Sequence, residues 1–275
     1  MTDYIFLNGN IVDEDAAQIN IKDLALLRGY GIFDFLRTVN KKKPFLIEKH
    51  LNRFYISAST MGLSIDYSRD FLLDIIKQLL EMNSYVEAGI RMVLTGGYSP
   101  NAFEPTESNI FIVIEPIHLP SPSQFEIGAK LITHNYHREW SRVKTINYIT
   151  SIRLINDKRK ADAIEVLYKI DGKIHECSRS NFFIVKDGVL ITAEDDVLQG
   201  ITRGTVIEIA KRSMKVELRE VLEEELMTAD EAFITGTTII VTPIVKIDDI
   251  EIGNGKPGPV TRKLLAEFLD FEKNY

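Results

Sequence analysis

The chain has 275 residues, of which 45% are hydrophobic and 27% charged, a composition typical of a globular protein with one large or two medium domains. Its formal net charge is −7 and it has no basic stripe, so nucleic acid is not expected as a partner. The single cysteine, Cys177, excludes an internal disulfide. The sequence shows no signal-peptide pattern and no apolar run of ~18 residues, so we expect a cytoplasmic protein without a membrane partner.

The first part of the chain mixes predicted strands with predicted helices. Residues 4–7 and 11–12 flank Asn8, Gly9 and Asn10, a combination that favours a hairpin. Apolar residues three and four positions apart predict helices at 48–61 and around 71–80. The other predicted strands of this part are 31–39, 44–47, 90–94 and 109–115.

A proline-rich stretch follows, with Pro116, Pro120 and Pro122 next to serines. Proline disfavours helix and supplies no ladder hydrogen bond, so residues 116–124 are predicted to form an interdomain linker without helix. This linker would separate a small N-terminal α+β domain, residues 1–115, from a larger C-terminal α+β domain, residues 125–275.

The second part is richer in predicted strands. Two Asp-Gly pairs, at 171–172 and 187–188, lie between apolar runs and favour tight hairpins. Strand clusters in each half, with helices outside them, predict the α+β fold class. The predicted strands are 125–133, 163–170, 173–176, 181–186, 189–192 and 231–234, and the predicted helices are 149–160, 203–213, 223–227 and 260–271.

Lys144 stands in a mostly uncharged stretch, residues 143–148, between a predicted strand and a predicted helix. A lysine that forms a Schiff base needs a lowered pKa, which removal from water can supply. Most lysines are solvated, however, and the spacing alone favours an ordinary surface lysine near a helix start.

Two glycine-containing segments are candidate anion sites. Residues 200–204 precede a predicted helix, where backbone N–H groups attract phosphate and where Thr202 is placed to cap the helix. Residues 235–238 follow a predicted strand and combine a glycine with hydroxyl groups. An ordinary cap and an ordinary turn are the simpler explanations of each, but two such loops after a candidate Schiff-base lysine strengthen one another.

Glu176 lies near the end of a predicted strand, where a carboxylate could hold the proton of a pyridine ring; the alternative is a surface ion pair with Arg179. The histidines show no metal-ligand spacing, so no metal is expected and each is interpreted as solvated or structural. They are His50, His118, His134, His137 and His175.

In chain order, these segments resemble the fold-type IV enzymes that use pyridoxal 5′-phosphate (PLP). This family contains branched-chain aminotransferases, D-amino-acid aminotransferases and aminodeoxychorismate lyases. The match runs from residues 7–9 to the C-terminal helix, and the ordered set of motifs is far more specific than any single motif. The resemblance implies a two-domain α+β fold of the D-amino-acid-aminotransferase type and transfer of an amino group between an amino acid and a 2-oxo acid. It also implies a homodimer in which N-terminal loops of one subunit close the site of the other.

The resemblance assigns roles to residues that match the family's motifs. Lys144 corresponds to the Schiff-base lysine, which also shuttles the proton of the substrate α-carbon. Glu176 corresponds to the partner of the pyridine nitrogen, and Tyr148 to the tyrosine that hydrogen-bonds the phenolic oxygen of the cofactor.

The remaining cofactor contacts also follow from the resemblance. Arg53, in the segment 48–54, corresponds to an arginine that binds the phosphate. The segment 198–203 resembles a loop that packs a leucine on the ring and binds phosphate. Its matching residues are Leu198, Ile201 and Thr202. In the second loop, Thr237 is expected on the phosphate and Thr238 near the substrate carboxylate.

The expected substrate residues favour an L-amino-acid enzyme of branched-chain type. Asn101 and Phe103 stand where D-specific enzymes carry an arginine and a histidine, and neither holds a carboxylate by charge. Arg37 and Arg91 partly match arginines of branched-chain enzymes, and Arg91 is a candidate to receive a glutamate side chain. Ion pairing at a strand edge explains both arginines equally well.

Tyr30 and Phe33 are expected to help line an apolar pocket. Two positions depart from the branched-chain pattern, because Phe35 replaces a glycine and Gly89 replaces a tyrosine. The short spacing from Lys144 to the tyrosine of its motif is closer to that of the lyases and D-specific enzymes.

Three alternatives to the branched-chain assignment therefore remain. They are aminodeoxychorismate lyase, which eliminates pyruvate, D-amino-acid aminotransferase, and a non-catalytic PLP-fold protein that acts in binding. Intact Lys144, Glu176 and Arg53 argue against the last of these.

Overall fold

The first regular element is the hairpin predicted around Asn8 and Gly9. The computed structural model describes residues 3–275 and pairs Tyr4–Leu7 with Asn10–Asp13 in antiparallel register. Asn8 and Gly9 join the two strands with φ angles of 44° and 92°. Tight hairpin turns require this left-handed region, which asparagine and glycine enter at least cost.

The chain divides into two units, of which the first runs to Ile117 and also includes the separate segment Val143–Asn147. Its strands are β1 (Tyr4–Leu7), β2 (Asn10–Asp13), β3 (Gly31–Val39), β4 (Lys43–Pro44), β5 (Ala88–Thr95) and β6 (Ile110–Pro116), and its α-helices are α1 (Leu24–Arg28), α2 (Ile47–Thr60) and α3 (Arg69–Met82). The six strands pair antiparallel in the order β2-β1-β6-β5-β3-β4.

Helices α2 and α3 confirm the two helices predicted from apolar spacing in the first half. Each buries one apolar stripe against the sheet, because residues three and four apart share a helix face. The fully buried residues of this core include Leu51 and Phe54 of α2, Leu72 and Ile76 of α3, and Phe6, Ile32 and Leu36 of the sheet.

The second unit consists of His118–Arg142 and Tyr148–Tyr275. Its α-helices are α4 (Pro122–Ile127), α5 (Ile149–Arg153), α6 (Ile155–Lys160), α7 (Ile201–Ala210) and α8 (Pro259–Lys273). Its strands are β7 (Ala129–Asn135), β8 (Glu165–Ile170), β9 (Lys173–Cys177), β10 (Asn181–Lys186), β11 (Val189–Thr192), β12 (Val216–Leu218), β13 (Val221–Leu222), β14 (Glu231–Gly236), β15 (Ile240–Ile247) and β16 (Ile250–Glu251).

Six strands of the second unit form a closed ring of pairings. The sheet runs β10-β14-β15-β7-β8-β9, and β9 pairs again with β10 through Glu176 and Asn181. The β15–β7 and β7–β8 pairs are parallel, and the other pairs of the ring are antiparallel. The ring packs around fully buried side chains such as Leu131, Leu167 and Ile234.

The prediction of a linker without helix is wrong at its end. Helix α4 begins at Pro122, where a proline costs nothing because the first N–H of a helix has no partner within the helix. The side chain of Gln124 accepts a hydrogen bond from the backbone N–H of Ser121 at 3.1 Å. The strand predicted from residue 125 therefore begins only at Ala129, after Gly128.

Other predicted helices differ in detail. The single helix predicted at 149–160 is interrupted at Leu154 and forms α5 and α6. The predicted helix at 223–227 is a 3₁₀ helix. Among residues 3–275, no helix combines the length and the hydropathy that crossing a bilayer requires.

Candidate functional site

Lys144 belongs to the first unit although it lies far along the chain. Its carbonyl accepts a hydrogen bond from the Phe33 N–H at 2.9 Å, and the N–H of Ile146 donates to the Gly31 carbonyl at 3.1 Å. A Cβ at Gly31 would lie 2.8 Å from the Leu94 carbonyl oxygen of β5 and 3.1 Å from Cδ1 of Ile146, so a glycine suits the close packing of both segments here. The half-buried Lys144 places its Nζ 4.5 Å from the centroid of the Phe33 ring, within cation–π range.

Arg53, the predicted phosphate ligand, is held by the fully buried carboxylate of Asp34. Its Nε and Nη2 donate to the two Asp34 oxygens, each at 2.8 Å, and Nδ1 of His50 lies 2.7 Å from Oδ1. His50 and Arg53 are three residues apart on α2, so both reach the same carboxylate from one helix face.

The charge state of Asp34 follows from these contacts. Burial alone raises the pKa of Asp34, but the charges of Arg53 and His50 and their hydrogen bonds outweigh it, so the pKa lies below its ordinary value. Burial is also the main reason why the pKa of His50 is lowered. The guanidinium of Arg53 is thereby fixed in direction by an ionised partner.

The predicted substrate residues Tyr30 and Arg37 lie on or next to β3. The Tyr30 hydroxyl donates to the carbonyl of Met61, just beyond α2. Arg37 is 2% exposed, with its guanidinium carbon 5.9 Å from the centroid of the Phe45 ring. A direct substrate contact by either residue stays a prediction.

Arg91 is paired with an acidic side chain, which is one of the two arrangements expected for it. Its Nε and Nη2 donate to the two carboxylate oxygens of Glu115 at 2.8 and 2.6 Å. The same guanidinium lies 4.9 Å from the centroid of the Phe35 ring and 5.6 Å from that of Phe33. A glutamate side chain would therefore have to compete with Glu115 for this arginine.

Phe35 and Gly89 are diagonal neighbours on β3 and β5. A Cβ at Gly89 would lie 2.6 and 2.7 Å from two carbons of the Phe35 ring, closer than carbon atoms approach. The phenylalanine thus fills the volume that a side chain at position 89 would need. The two departures from the branched-chain pattern are therefore connected: a large side chain on β3 fills the space left by the glycine on β5.

The loop aligned with the D-specific carboxylate trap is organised by its own backbone. Oδ1 of Asn101 accepts hydrogen bonds from the N–H groups of Phe103 and Glu104 at 3.1 and 2.9 Å. The Phe103 side chain is 79% exposed. Asn101 therefore stabilises a turn in this loop.

In the second unit, Glu176 is 4% exposed and has donors on both carboxylate oxygens. Arg138 donates from Nη1 to Oε1 at 2.8 Å, and the backbone N–H of Leu198 donates to Oε2 at 2.9 Å. Asn181 donates to the Leu198 carbonyl at 2.8 Å and lies 3.5 Å from Oε2 of Glu176. The alternative expected from the sequence, a surface pair between Glu176 and Arg179, is wrong.

The pKa of Arg138 is affected by both Glu176 and Tyr148. Burial alone lowers the pKa of Arg138. The charge of Glu176, the hydrogen bond between the two residues and the neighbouring Tyr148 outweigh this effect, so the pKa of Arg138 lies above its ordinary value. Arg179 instead donates to the fully buried Glu165 at 2.8 Å. Two separate ion pairs, each with a buried carboxylate, thus lie along this part of the strand ring.

The predicted phosphate helix begins two residues earlier than expected. Gly200 is the N-cap of α7, with an extended backbone at φ −63° and ψ 137°, so Thr202 is the second helical residue and its predicted capping role is wrong. A Cβ at Gly200 would lie 2.1 Å from Oδ1 of Asn181, so any other residue would have to displace the Asn181 amide. Ile201 and Thr202 thus occupy the first turn, where backbone N–H groups have no partner within the helix.

Thr237 and Thr238 lie in the turn between β14 and β15, both half-buried. The turn is closed by a hydrogen bond from the Ile239 N–H to the Gly236 carbonyl at 3.2 Å. Beside it, the hydroxyls of Ser180 and Thr235 are buried without a hydrogen-bond partner among the residues described.

Four of these residues were not assigned a supporting role from the sequence. Asp34 and His50 become visible only when β3 and α2 pack together, and Arg138 and Asn181 only when the ring of strands closes. An aspartate within an apolar strand was the one available signal, because such a residue needs a buried partner.

Comparisons with known proteins agree with this architecture. A family model described as amino-transferase class IV matches residues 31–247. A Methanocaldococcus jannaschii protein, whose provisional name is branched-chain-amino-acid aminotransferase, is 33% identical, with 98% of this chain and 97% of the relative covered. A D-alanine aminotransferase of Listeria monocytogenes is 31% identical, with 97% and 95% covered. The solved T.th. branched-chain amino acid aminotransferase with pyridoxamine 5′-phosphate has a TM-score of 0.91 and 29% identity, with 100% and 95% covered.

Replacement of Asp34 by asparagine is expected to lower the free energy of unfolding at pH 7 by about 3 kcal/mol, because Arg53 and His50 lose a buried ionised partner. The pKa of Asp34 is depressed in the folded state, so its stabilisation is present above the unfolded pKa of about 3.9 and is lost as pH falls through the folded pKa. Asp34 also holds up the pKa of His50, so the comparison is made in a His50→Gln background. There the deficit of Asp34→Asn should shrink by about 0.7 kcal/mol between pH 7 and pH 3.5.

Urea unfolding at the two pH values measures this deficit. Asp66→Asn, at an exposed position of the same unit, is the matched control and should change little at either pH. A deficit of Asp34→Asn that stays constant with pH would contradict the depressed pKa.

Because the Phe35 ring fills the volume next to Gly89, we expect the effects of substitutions at these two positions on the free energy of unfolding to be strongly coupled. Gly89→Tyr should cost about 1–3 kcal/mol through overpacking, and Phe35→Gly should destabilise by opening a gap. The double variant should be more stable than the sum of the two losses by at least about 1 kcal/mol. Urea unfolding of the wild type, the two single variants and the double variant measures this coupling energy. As a control, Phe35→Gly is combined with Gly204→Ala, which lies in open space on α7. The losses in unfolding free energy of this control pair should add. Additivity of the first pair would refute the coupling.

Proposed function

The chain belongs to the class IV aminotransferases, and on that premise we propose that it moves amino groups between branched-chain L-amino acids and 2-oxo acids, with Lys144 bonded to the cofactor. Enzymes of this class use PLP. The observation that carries the proposal is the setting of Lys144, whose amine lies against the Phe33 ring in a segment bound to β3 by backbone hydrogen bonds.

The residues present fit a phosphorylated pyridine aldehyde. Lys144 offers a primary amine, and Glu176 offers a buried carboxylate that suits the N–H of a protonated ring nitrogen. The first turn of α7 offers backbone N–H groups next to the Thr202 hydroxyl, a favourable setting for phosphate. The unpartnered buried hydroxyls beside the Thr237 turn add donors that a phosphate would satisfy.

When bound, PLP supplies the electron sink that stabilises negative charge on the substrate α-carbon. The amine of Lys144 is the base that removes the proton at this carbon, and once protonated it is the acid that returns a proton. Glu176, held between Arg138 and the Leu198 N–H, keeps the proton on the ring nitrogen.

The other predicted cofactor residues are proposed to hold the cofactor in position. Arg53, directed by Asp34, and the hydroxyls of Thr202 and Thr237 are proposed to bind the phosphate. Leu198 and Ile201 are proposed to contact the ring and phosphate, and Tyr148 its phenolic oxygen. A ring fixed by so many contacts presents the reacting atoms in one orientation.

Two features support the branched-chain substrate class. Phe33 and Phe35 present aromatic surface next to Lys144 and Arg91. The loop residue Asn101 is committed to its own turn and offers no charge to a carboxylate. Arg91, Arg37, Tyr30 and Thr238 remain the proposed substrate contacts. A D-amino-acid substrate is the second candidate, since a D-alanine aminotransferase is 31% identical to this chain.

The assembly is proposed to be a homodimer, as the family resemblance implies. The proposed domains are residues 1–115 and 125–275. The partners are amino acids and 2-oxo acids.

Lys144→Ala is expected to abolish both turnover and the absorbance of the lysine-bound cofactor, because no other residue is proposed to provide the amine. Turnover and the visible spectrum of the purified protein measure these two effects. Lys144→Arg keeps the positive charge but cannot condense with an aldehyde, and it should fail in the same way. Lys160→Ala, at an exposed lysine of the second unit, should behave as wild type. Retention of turnover and absorbance in Lys144→Ala would end the proposal.

A substrate panel tests the substrate class. L-leucine and L-glutamate, each mixed with the holoenzyme in a single half-reaction, should produce the spectral change that marks amino-group transfer to the cofactor. D-alanine should react at least about 100-fold more slowly, a ratio typical of pocket discrimination. Faster reaction with D-alanine would assign the D-specific class instead. Pyruvate release from aminodeoxychorismate without a response to L-amino acids would assign the lyase.

A further inference from the structure

We infer that His137, His175 and Asp196 bind a divalent transition-metal ion of the Zn²⁺ class. One ligand atom from each side chain lies within 4.8 Å of the other two, and Nε2 of His137 lies 3.6 Å from Oδ1 of Asp196. The three residues follow β7, lie on β9 and follow β11, respectively, all in the second unit. Their sequence spacing is not that of a metal motif, because the strand ring rather than a local segment brings them together.

The histidines carry ring nitrogens that other protein groups do not satisfy. His175 is 9% exposed, and Nε2 of both His137 and His175 is buried without a hydrogen-bond partner among the residues described. The two ring centroids are 5.2 Å apart, with an angle of 58° between the ring planes. Buried polar atoms normally have partners, and coordination to a metal is a common role of neutral imidazole.

The geometry suits a tetrahedral ion after small side-chain rotations. Ligand atoms about 2.0–2.1 Å from Zn²⁺ are about 3.3 Å apart in a tetrahedron, close to the His137–Asp196 separation. The Asp196 side chain is 62% exposed and has room to turn toward the ion. Two imidazoles and one carboxylate favour Zn²⁺ over Mg²⁺ or Ca²⁺, which prefer oxygen ligands, and a water would complete the four-coordinate site.

The position of the cluster indicates a structural role. His175 and Glu176 are consecutive on β9, so their side chains point to opposite faces of the strand. His137 and Arg138 are likewise consecutive, and Arg138 donates to Glu176 at 2.8 Å. An ion held by His137 and His175 would tie the same loop to the same strand a second time. It would thereby stabilise the contact between Arg138 and Glu176.

The test uses the holoenzyme after dialysis against a chelator. Calorimetric titration with ZnCl₂ should give one ion per chain, and thermal unfolding should shift to higher temperature with added Zn²⁺. Titration with CoCl₂ should give the visible bands of four-coordinate Co²⁺. None of these readouts depends on turnover or on the substrate class.

Two ligand variants and two controls separate this cluster from other metal-binding groups. Asp196→Asn, at an exposed position, and His137→Asn should each weaken Zn²⁺ binding at least tenfold. Mutation of residues that only hydrogen-bond to metal ligands already lowers metal affinity about 10- to 100-fold. Asp195→Asn, which removes an exposed pair with Arg142, and His134→Asn should bind as wild type. Less than one ion per chain at micromolar Zn²⁺, or wild-type affinity in Asp196→Asn, would overturn the proposal.

Discussion

A carboxylate removed from water must find donors within the protein, and this requirement organises the second unit around Glu176. Its donors come from three separate segments, namely the loop with Arg138, the backbone of Leu198 and the side chain of Asn181. Asn181 is also its partner across the pairing of β9 with β10 that closes the strand ring. One carboxylate therefore joins the loop with Arg138, the closure of the strand ring and the segment that leads into α7.

The first unit solves the same problem with Asp34. Its two oxygens receive hydrogen bonds from His50, Arg53 and the Phe35 backbone N–H. Because these donors come from α2 and from β3 itself, the acid links the helix to the strand that carries Phe33. In the first unit a buried anion directs a residue proposed to contact the cofactor, and in the second unit the buried anion is itself such a residue. The chemistry of the enzyme and the folding of each unit thus depend on the same charges.

The sequence was most informative where structure is local. Helix α2 and the hairpin at Asn8 and Gly9 were predictable, because apolar spacing and turn chemistry are properties of neighbouring residues. The candidate site was accessible only as an ordered series of motifs, which identified Lys144 and Glu176 as candidates but not their supporting partners. Arg138 was invisible because its partner is distant in sequence and is brought to it by closure of the strand ring.

Packing also explains why single positions can mislead a comparison of motifs. Phe35 and Gly89 each depart from the branched-chain pattern, yet the ring of one occupies the space of the missing side chain of the other. Gly200 and Asn181 show the same relation, since the amide oxygen lies where a Cβ would be. The volume available at one position is decided by an atom from another segment. Differences between branched-chain and D-specific relatives along β3 and β5 should therefore be compared as pairs of positions across the two strands.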